Sequence, residues 1–348
     1  MKECSFYLKL EKSAGAVKCT ACKHACTIPN ERFGICGARK NIDGKLFLIT
    51  YSKPCSIHLD PMEKKPLFHY KPGTNILSIG FFGCNFSCQF CQNYDISTMR
   101  GETIERALPG IPEISPEKFV SLAEESGASS VAFTYNEPAI SIEYCLDAIT
   151  LARKKNLGTV FVSNGYESDE QIKSLGRRLD AINIDLKSFD DEFYKKICGA
   201  RLEGVLETIK AFHKNKTWIE LTTLLIPGKN TSKENLKQLA SFIASVDKSI
   251  PWHLSAFHPC HKMTGVSRTS KNQIEEAMKI GKEAGLKFVY GGNLSDVDLE
   301  STYCPKCNSK LIERNFYGVN ILGLEKTGNL SVRAKCVECG EKIEGVFE

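Results

Sequence analysis

Three cysteines in one short stretch, Gly83-Cys84-Asn85-Phe86-Ser87-Cys88-Gln89-Phe90-Cys91, are the residues best placed to do chemistry. Their C-x3-C-x2-C spacing lets three thiolates converge on one small object within a single tight loop. A cubane iron–sulfur cluster normally takes four thiolates. Three would leave one iron without a protein ligand, and an open coordination position is where a metal site reacts rather than holds structure. The competing reading is three zinc or core cysteines, since short spacings recur by chance in a chain with 16 cysteines.

Two further cysteine groups flank this loop. Cys19, Cys22, Cys26 and Cys36 form a compact set with glycines beside the last, which suits a metal-bound knuckle. Zinc and an auxiliary iron–sulfur cluster both stay open there, and His24 reads as a solvated knuckle residue. Cys304-Pro305-Lys306-Cys307 and Cys336-Val337-Glu338-Cys339 are paired C-x2-C units, the pattern of a closed tetrahedral site holding zinc or iron. Cys55 lies between the first two groups in the chain and could belong to either or neither. Cys4, Cys145, Cys198 and Cys260 read as plain thiols.

The remaining composition narrows the class. Hydrophobic residues make up 42% and charged residues 25%, values that suit a globular chain with a real core. The net charge of +5 is mild and suits a solvated surface. There is no run of about 18 apolar residues to span a membrane and no signal-peptide core at Met1-Lys2-Glu3-Cys4. A cytoplasmic protein is expected, and in a reducing compartment grouped cysteines mean metal rather than disulfides.

The elements that must position the loop follow from periodicity. Ile76–Gly80 reads as the apolar strand that delivers the chain to the cysteines. Strands at 130–134, 159–162, 181–185, 218–225, 252–257 and 288–290 alternate with helices at 117–126, 140–155, 169–175, 190–197, 202–214, 233–246 and 272–284. Lys45–Tyr51 reads as a strand, and His58–His69 as a proline-punctuated loop. Alternation implies parallel strands with crossover helices. Six or seven units are too few to close an eightfold barrel. The fold class is therefore α/β, a partial open (β/α) barrel over 75–299. A small Cys-rich region precedes it (1–74), and a zinc-ribbon or rubredoxin-like module with short strands at 319–322 and 330–332 follows it (300–348).

Sites in such sheets lie at the carboxyl ends of strands, and four polar stretches stand there. Tyr135-Asn136-Glu137-Pro138 offers a carboxylate to an amino acid's ammonium group. Ser163-Asn164-Gly165 offers polar contacts to a ribose or carboxylate. Asp185 and Lys187 share one side of their strand and either pair with each other or meet a zwitterion. His258 ends its strand in Phe257-His258-Pro259. Ordinary turns, caps and ion pairs are the alternative for each. Glu220 and Thr222, along the fifth strand, are weaker candidates.

The three-cysteine loop resembles the signature of the radical S-adenosylmethionine superfamily. The resemblance implies a [4Fe–4S] cluster on Cys84, Cys88 and Cys91, with S-adenosylmethionine chelated at the free iron. Phe90 would touch the adenine, Lys187 the methionyl carboxylate or ribose, and His258 the nucleoside. Tyr135-Asn136-Glu137 looks like a variant of a Gly-Gly-Glu type motif, with bulky residues where small ones are usual. The implied reaction is reductive cleavage to a 5′-deoxyadenosyl radical that abstracts hydrogen from a substrate, with flavodoxin or ferredoxin as electron donor.

Four segments together, Cys19 to Gly37, His58 to His69, Phe133 to Pro138 and Cys304 to Cys307, resemble the AmmeMemoRadiSam system radical SAM enzyme, a family similar to pyruvate formate-lyase activating enzymes. That implies a small-molecule or partner-protein substrate and association with a Memo-like protein. A glycyl-radical activase is the first alternative. A zinc-ribbon nucleic-acid-binding protein is the second, although the basic clusters Arg153-Lys154-Lys155 and Lys195-Lys196 lack interleaved aromatic residues.

Overall fold

A computed structural model describes residues 1–10, 15–294, 296–315, 318–326 and 333–347. The chain divides into two compact units. The first is Met1–Asp60, Asn75–Asp180 and Lys195–Thr217; the second is Pro61–Thr74, Ala181–Tyr194 and Trp218–Glu348.

In the first unit, β1 (Ser56–Pro61), β2 (Asn75–Gly80), β3 (Ser130–Phe133) and β4 (Gly158–Ser163) lie side by side in that order. Ser130 of β3 faces Ile76 on one side and Gly158 on the other, in parallel register. Every residue of β3 is buried, as expected of a parallel strand covered on both faces. Helix α1 (Pro116–Glu125) starts where Ser115 Oγ accepts from Lys118 N and proline takes the first turn. Gly127, at φ +69°, follows its end. Helix α2 (Ile142–Lys154) buries Ile142, Tyr144, Cys145, Ala148, Ile149 and Ala152, a spacing that makes one apolar face. Helices α3 (Asp169–Leu175) and α4 (Leu202–Lys214) pack on each other. The amino-terminal region folds into two small antiparallel sheets, one from Tyr7–Lys9, Val17–Cys19 and Thr27–Ile28, the other from Lys2–Glu3, Arg39–Ile42 and Lys45–Leu48.

The second unit carries β5 (Ala181–Asp185), β6 (Trp218–Leu225), β7 (Trp252–Ala256) and β8 (Val289–Gly292), parallel and in sequence order. Helices α5 (Lys233–Val246) and α6 (Lys271–Glu283) cross between them. Glu220 on β6 is fully buried and works as a hub. It accepts from the backbone N–H groups of Phe68 and His69, from Trp218 Nε1, and meets His253 Nε2 at 2.6 Å. Burial, the largest influence, would raise its pKa, but His253, His69 and Trp218 together hold it below the ordinary value. The carboxyl-terminal strands bury Leu311, Ile312, Ala334, Ile343 and Phe347 with Phe68, Phe288 and Tyr290.

The fold is thus the expected α/β fold with a partial, open barrel-like sheet. Two local expectations change. The stretch read as a loop from His58 begins inside an edge strand, Ser56–Pro61, where a terminal proline is tolerated because it interrupts no central ladder. The helix expected to Ile197 is α-helical only over Asp191–Phe193 and continues as a π turn, Tyr194–Cys198. The strand expected at Leu330-Ser331-Val332 lies outside the described residues, while Val319–Leu322 overlaps the strand Gly318–Ile321. Among the described residues no helix is long and apolar enough to cross a membrane.

Candidate metal and cofactor site

Strand β2 ends at Gly80 and releases the chain into the cysteine loop. Main-chain contacts fix the loop's path: Ser87 N donates to Cys198 O at 2.8 Å and Gln89 N to Ile197 O at 3.0 Å. Arg100 Nη2 donates to Phe86 O at 3.0 Å. Gly83 has φ +92°, and a Cβ there would stand 2.4 Å from Cys36 O, so no other residue fits. The Asn136 side chain grips the loop at two points, accepting from Phe81 N at 3.3 Å and donating to Gly83 O at 2.8 Å. Asn93 Nδ2 in turn holds Tyr135 O at 2.7 Å. Tyr135 itself sits in the left-handed region at φ +70°, with its hydroxyl 2.6 Å from Asp60.

Cys84, Cys88 and Cys91 are all half-buried. Cys91 Sγ is 3.1 Å from Ser97 Oγ, and Cys84 Sγ accepts from Phe86 N at 3.4 Å. Burial pushes the Cys84 thiol far up. Phe90 is 5% exposed.

Beside Cys84 the structure joins two asparagines. Asn164 Nδ2 donates to Asn85 Oδ1 at 2.7 Å and lies 3.9 Å from Cys84 Sγ. The other halves of both amides, Asn85 Nδ2 and Asn164 Oδ1, are buried and have no hydrogen-bond partner among the described residues. A donor and an acceptor left open beside a half-buried thiol trio fit a polar, amino-acid-like ligand, because such groups are rarely left unmet. Glu137 is fully buried behind them. Its carboxylate accepts from Ala139 N, Asn164 N and Ser163 Oγ at 2.8–3.0 Å. Ser163 Oγ also lies 2.6 Å from Glu167. Burial first, and then the Glu167 charge, lift Glu137 to about 8. A ligand's ammonium group would have to share this carboxylate with the turn it orders.

The other sequence-derived candidates belong to the second unit. Lys187 Nζ pairs with Asp185 at 2.8 Å, both on one side of the strand end as the alternation requires. His258 is exposed at the end of β7. Thr222 Oγ1 donates to Asn183 at 2.9 Å.

The two outer cysteine groups differ from the loop and from each other. Cys304 and Cys339 sulfurs lie 3.6 Å apart, as do those of Cys307 and Cys336. Among the described residues these four form the one group of metal-capable side chains gathered within 4.8 Å, and they could hold a metal ion. A tetrahedral zinc with bonds of about 2.3 Å would set its sulfurs about 3.8 Å apart. The loop trio is not gathered within 4.8 Å. Cys19, Cys22, Cys26 and Cys36 line one small pocket with Arg39 and Ile140, and burial raises all four thiols. His24 is not a solvated residue: its ring packs 4.9 Å from Tyr166 and 6.3 Å from Phe86, and burial lowers its pKa.

Sequence reasoning passed over several residues. Asn85 lay in plain view inside the motif, but its partner is 79 positions away. Cys4, read as a lone thiol, is buried within the electrostatic reach of Cys19, Cys36 and Arg39. Arg39 and Glu143 form a buried bidentate pair that no local spacing announces.

The sequence profile of the family described as Radical SAM superfamily matches residues 78–243. An uncharacterized protein of Methanocaldococcus jannaschii is 39% identical over 349 residues, covering 100% of both chains. The pyruvate formate-lyase-activating enzyme of Clostridium pasteurianum is 26% identical, over 55% of this chain and 81% of its own. Among solved structures, a radical SAM methyltransferase from Sphaerobacter thermophilus aligns at TM-score 0.49 and 15% identity, over 64% of this chain and 67% of its own. With the matched segment running from β2 through the three-cysteine loop into α5, the chain belongs to the radical SAM superfamily, with homologues of the pyruvate formate-lyase-activating kind.

Proposed function

We propose that the chain is a radical S-adenosylmethionine enzyme acting on a small molecule or partner protein of the AmmeMemoRadiSam system. The observation that carries this is the half-buried trio Cys84, Cys88 and Cys91 on a braced loop, beside the open amide atoms of Asn85 and Asn164. The trio would hold a [4Fe–4S] cluster, and Asn85, Asn164, Ser163, Asn136, Glu137 and Phe90 are the candidates for the nucleotide within the first unit; Asp185, Lys187 and His258, in the second unit, are candidates on the resemblance alone. The chemistry supplied by that pair of cofactors is one-electron reduction of the sulfonium, giving methionine and a 5′-deoxyadenosyl radical. The chain's own residues bind and orient. Asn136 and Arg100 set the loop, Glu137 orders the 163–164 turn, and burial excludes water. Flavodoxin or ferredoxin would supply the electron, and a Memo-like protein is the partner the resemblance suggests. The division into 1–74, 75–299 and 300–348 goes with this reading, with Cys304, Cys307, Cys336 and Cys339 as a zinc or iron site and the amino-terminal cysteines as a second metal or cluster site. A cytoplasmic location belongs to it as well.

The similarity to pyruvate formate-lyase-activating enzymes favours one other reading, a glycyl-radical activase. Its test is the appearance of a glycyl electron-spin signal in a co-purifying protein.

Anaerobic reconstitution with iron, sulfide, dithionite and S-adenosylmethionine tests the main proposal. The expected result is about four irons on the trio by spectroscopy and release of 5′-deoxyadenosine. Cys88→Ala should abolish both, and a variant that still makes the nucleoside would overturn the assignment.

A further inference from the structure

A cavity of about 370 Å³ in the second unit has no part in the chemistry above. Its size lies in the range of small-molecule sites. Pro66, Phe68, Leu254 and Val297 give it apolar walls, and the Tyr290 and His253 rings stack at 5.2 Å along it.

The charged groups facing it are not fully hydrogen-bonded. Asp296 is paired with Lys271 and caps the short helix Val297–Glu300. Lys64 is exposed at the edge. Arg314 is 1% exposed and lies over the Phe68 ring at 4.2 Å. Its Nη atoms are committed to Glu300 O, Thr302 Oγ1 and Phe68 O at 2.7–3.1 Å. Its Nε lies 3.7 Å from Glu63 Oε1, beyond hydrogen-bond distance. Glu63 is buried; its Oε1 accepts from Gly73 N at 2.9 Å, and its Oε2 has no hydrogen-bond partner among the described residues. The Glu300 carboxylate, half-buried, meets no hydrogen-bond donor among the described residues. Two carboxylates therefore face the space with Lys64 at its edge and with one guanidinium whose terminal donors are spent elsewhere. A buried acceptor left in this state marks a missing donor.

We infer that this cavity binds a small amine, its ammonium group received by Glu63 Oε2 and Glu300 and its carbon body laid against Phe68, Tyr290 and Leu254. Burial raises both carboxyls, Glu300 to about 7, and a cation is what would reverse that. Gly292 keeps the approach open. A Cβ on it would come 3.7 Å from Glu300 Oε1 and 4.0 Å from Ser255 Oγ, with no backbone strain. A larger side chain there would stand where the ligand goes.

The test uses the full chain without reductant or S-adenosylmethionine, so its outcome is separate from the 5′-deoxyadenosine assay. Calorimetric titration at pH 8 compares 2-phenylethylamine with 2-phenylethanol and phenylacetate. The amine is expected to bind on the order of tenfold or more tighter than either, since it alone meets the carboxylates. Glu300→Gln should weaken the amine by about ten- to a hundredfold, and Gly292→Val should abolish binding while thermal melting stays that of a folded chain. If Gly292→Val fails to fold, Gly292→Ala should still weaken binding. Tighter binding of phenylacetate would mean that Arg314 and Lys64 set the sign and would overturn the inference. So would an amine that does not bind, or binding indifferent to Glu300→Gln.

Discussion

Two buried arginine–glutamate pairs, one in each unit, look alike in composition and differ in completeness. Arg39 and Arg314 are each 1% exposed. Arg39 has every donor group placed: Nε on Ile140 O at 3.0 Å and Nη1 and Nη2 on the two oxygens of Glu143 at 3.1 and 2.6 Å. Glu143 also accepts from Ser5 N at 3.0 Å. Among the described residues, Arg314 leaves Nε unmet and its neighbour Glu63 leaves Oε2 unmet. Equal burial with opposite saturation separates scaffold from site. The closed pair can only hold the amino-terminal sheets and α2 in place. The open one keeps its capacity for something that arrives later.

The largest effect expected from this contrast is in the closed pair. Glu143→Ala should cost about 3–5 kcal/mol, because it strands a buried guanidinium, measured by urea denaturation. Arg39→Met combined with Glu143→Leu should recover most of that loss, since apolar replacement of a buried pair is often near neutral. A double variant as unstable as the single one would show that the pair does more than hold shape.

A smaller effect is expected with pH at the open pair. Burial, reinforced by Asp296 and opposed by Arg314, lifts Glu300 to about 7 from the usual 4.5. Between those values the folded chain holds a proton that the unfolded chain has released, so stability should fall as pH rises through that window. Solvent screening of a half-buried group limits the drop to about 1–2 kcal/mol. Glu63, Asp296, Arg314, Lys64 and His253 face the same space, so the reading to take is the difference between the wild type and Glu300→Gln, which should lack this component. Curves that stay parallel from pH 4.5 to 7 would remove Glu300 from the account.

The smallest effect is at pH 8, where Glu300→Gln should leave stability unchanged or raise it by less than about 1 kcal/mol. A loss as large as that of Glu143→Ala would make the second pair scaffold too, and the contrast would fail.

Much of the fold could be read before the structure. Ala181–Asp185, Trp218–Leu225, Leu202–Lys214 and Lys233–Val246 lie where apolar period and flanking caps put them. Such signals are local, because each element carries its own repeat. The paired C-x2-C units were also legible, since a tetrahedral thiolate site constrains spacing directly. What stayed hidden depends on distant partners. Asn85 finds Asn164, Arg39 finds Glu143, and Glu63 meets Arg314 only after the chain has folded. Nothing in the neighbourhood of these residues encodes that pairing. The edge strand Ser56–Pro61 was missed for a different reason: its closing proline looks the same in a strand end as in a loop.

The double hold of Asn136 on Phe81 N and Gly83 O bears on how the iron centre is built. A backbone stapled on both sides of Phe82 takes its curvature from the chain's own hydrogen bonds. Insertion of iron and sulfide should then resemble loading a rigid mould rather than winding a slack thread around a bead.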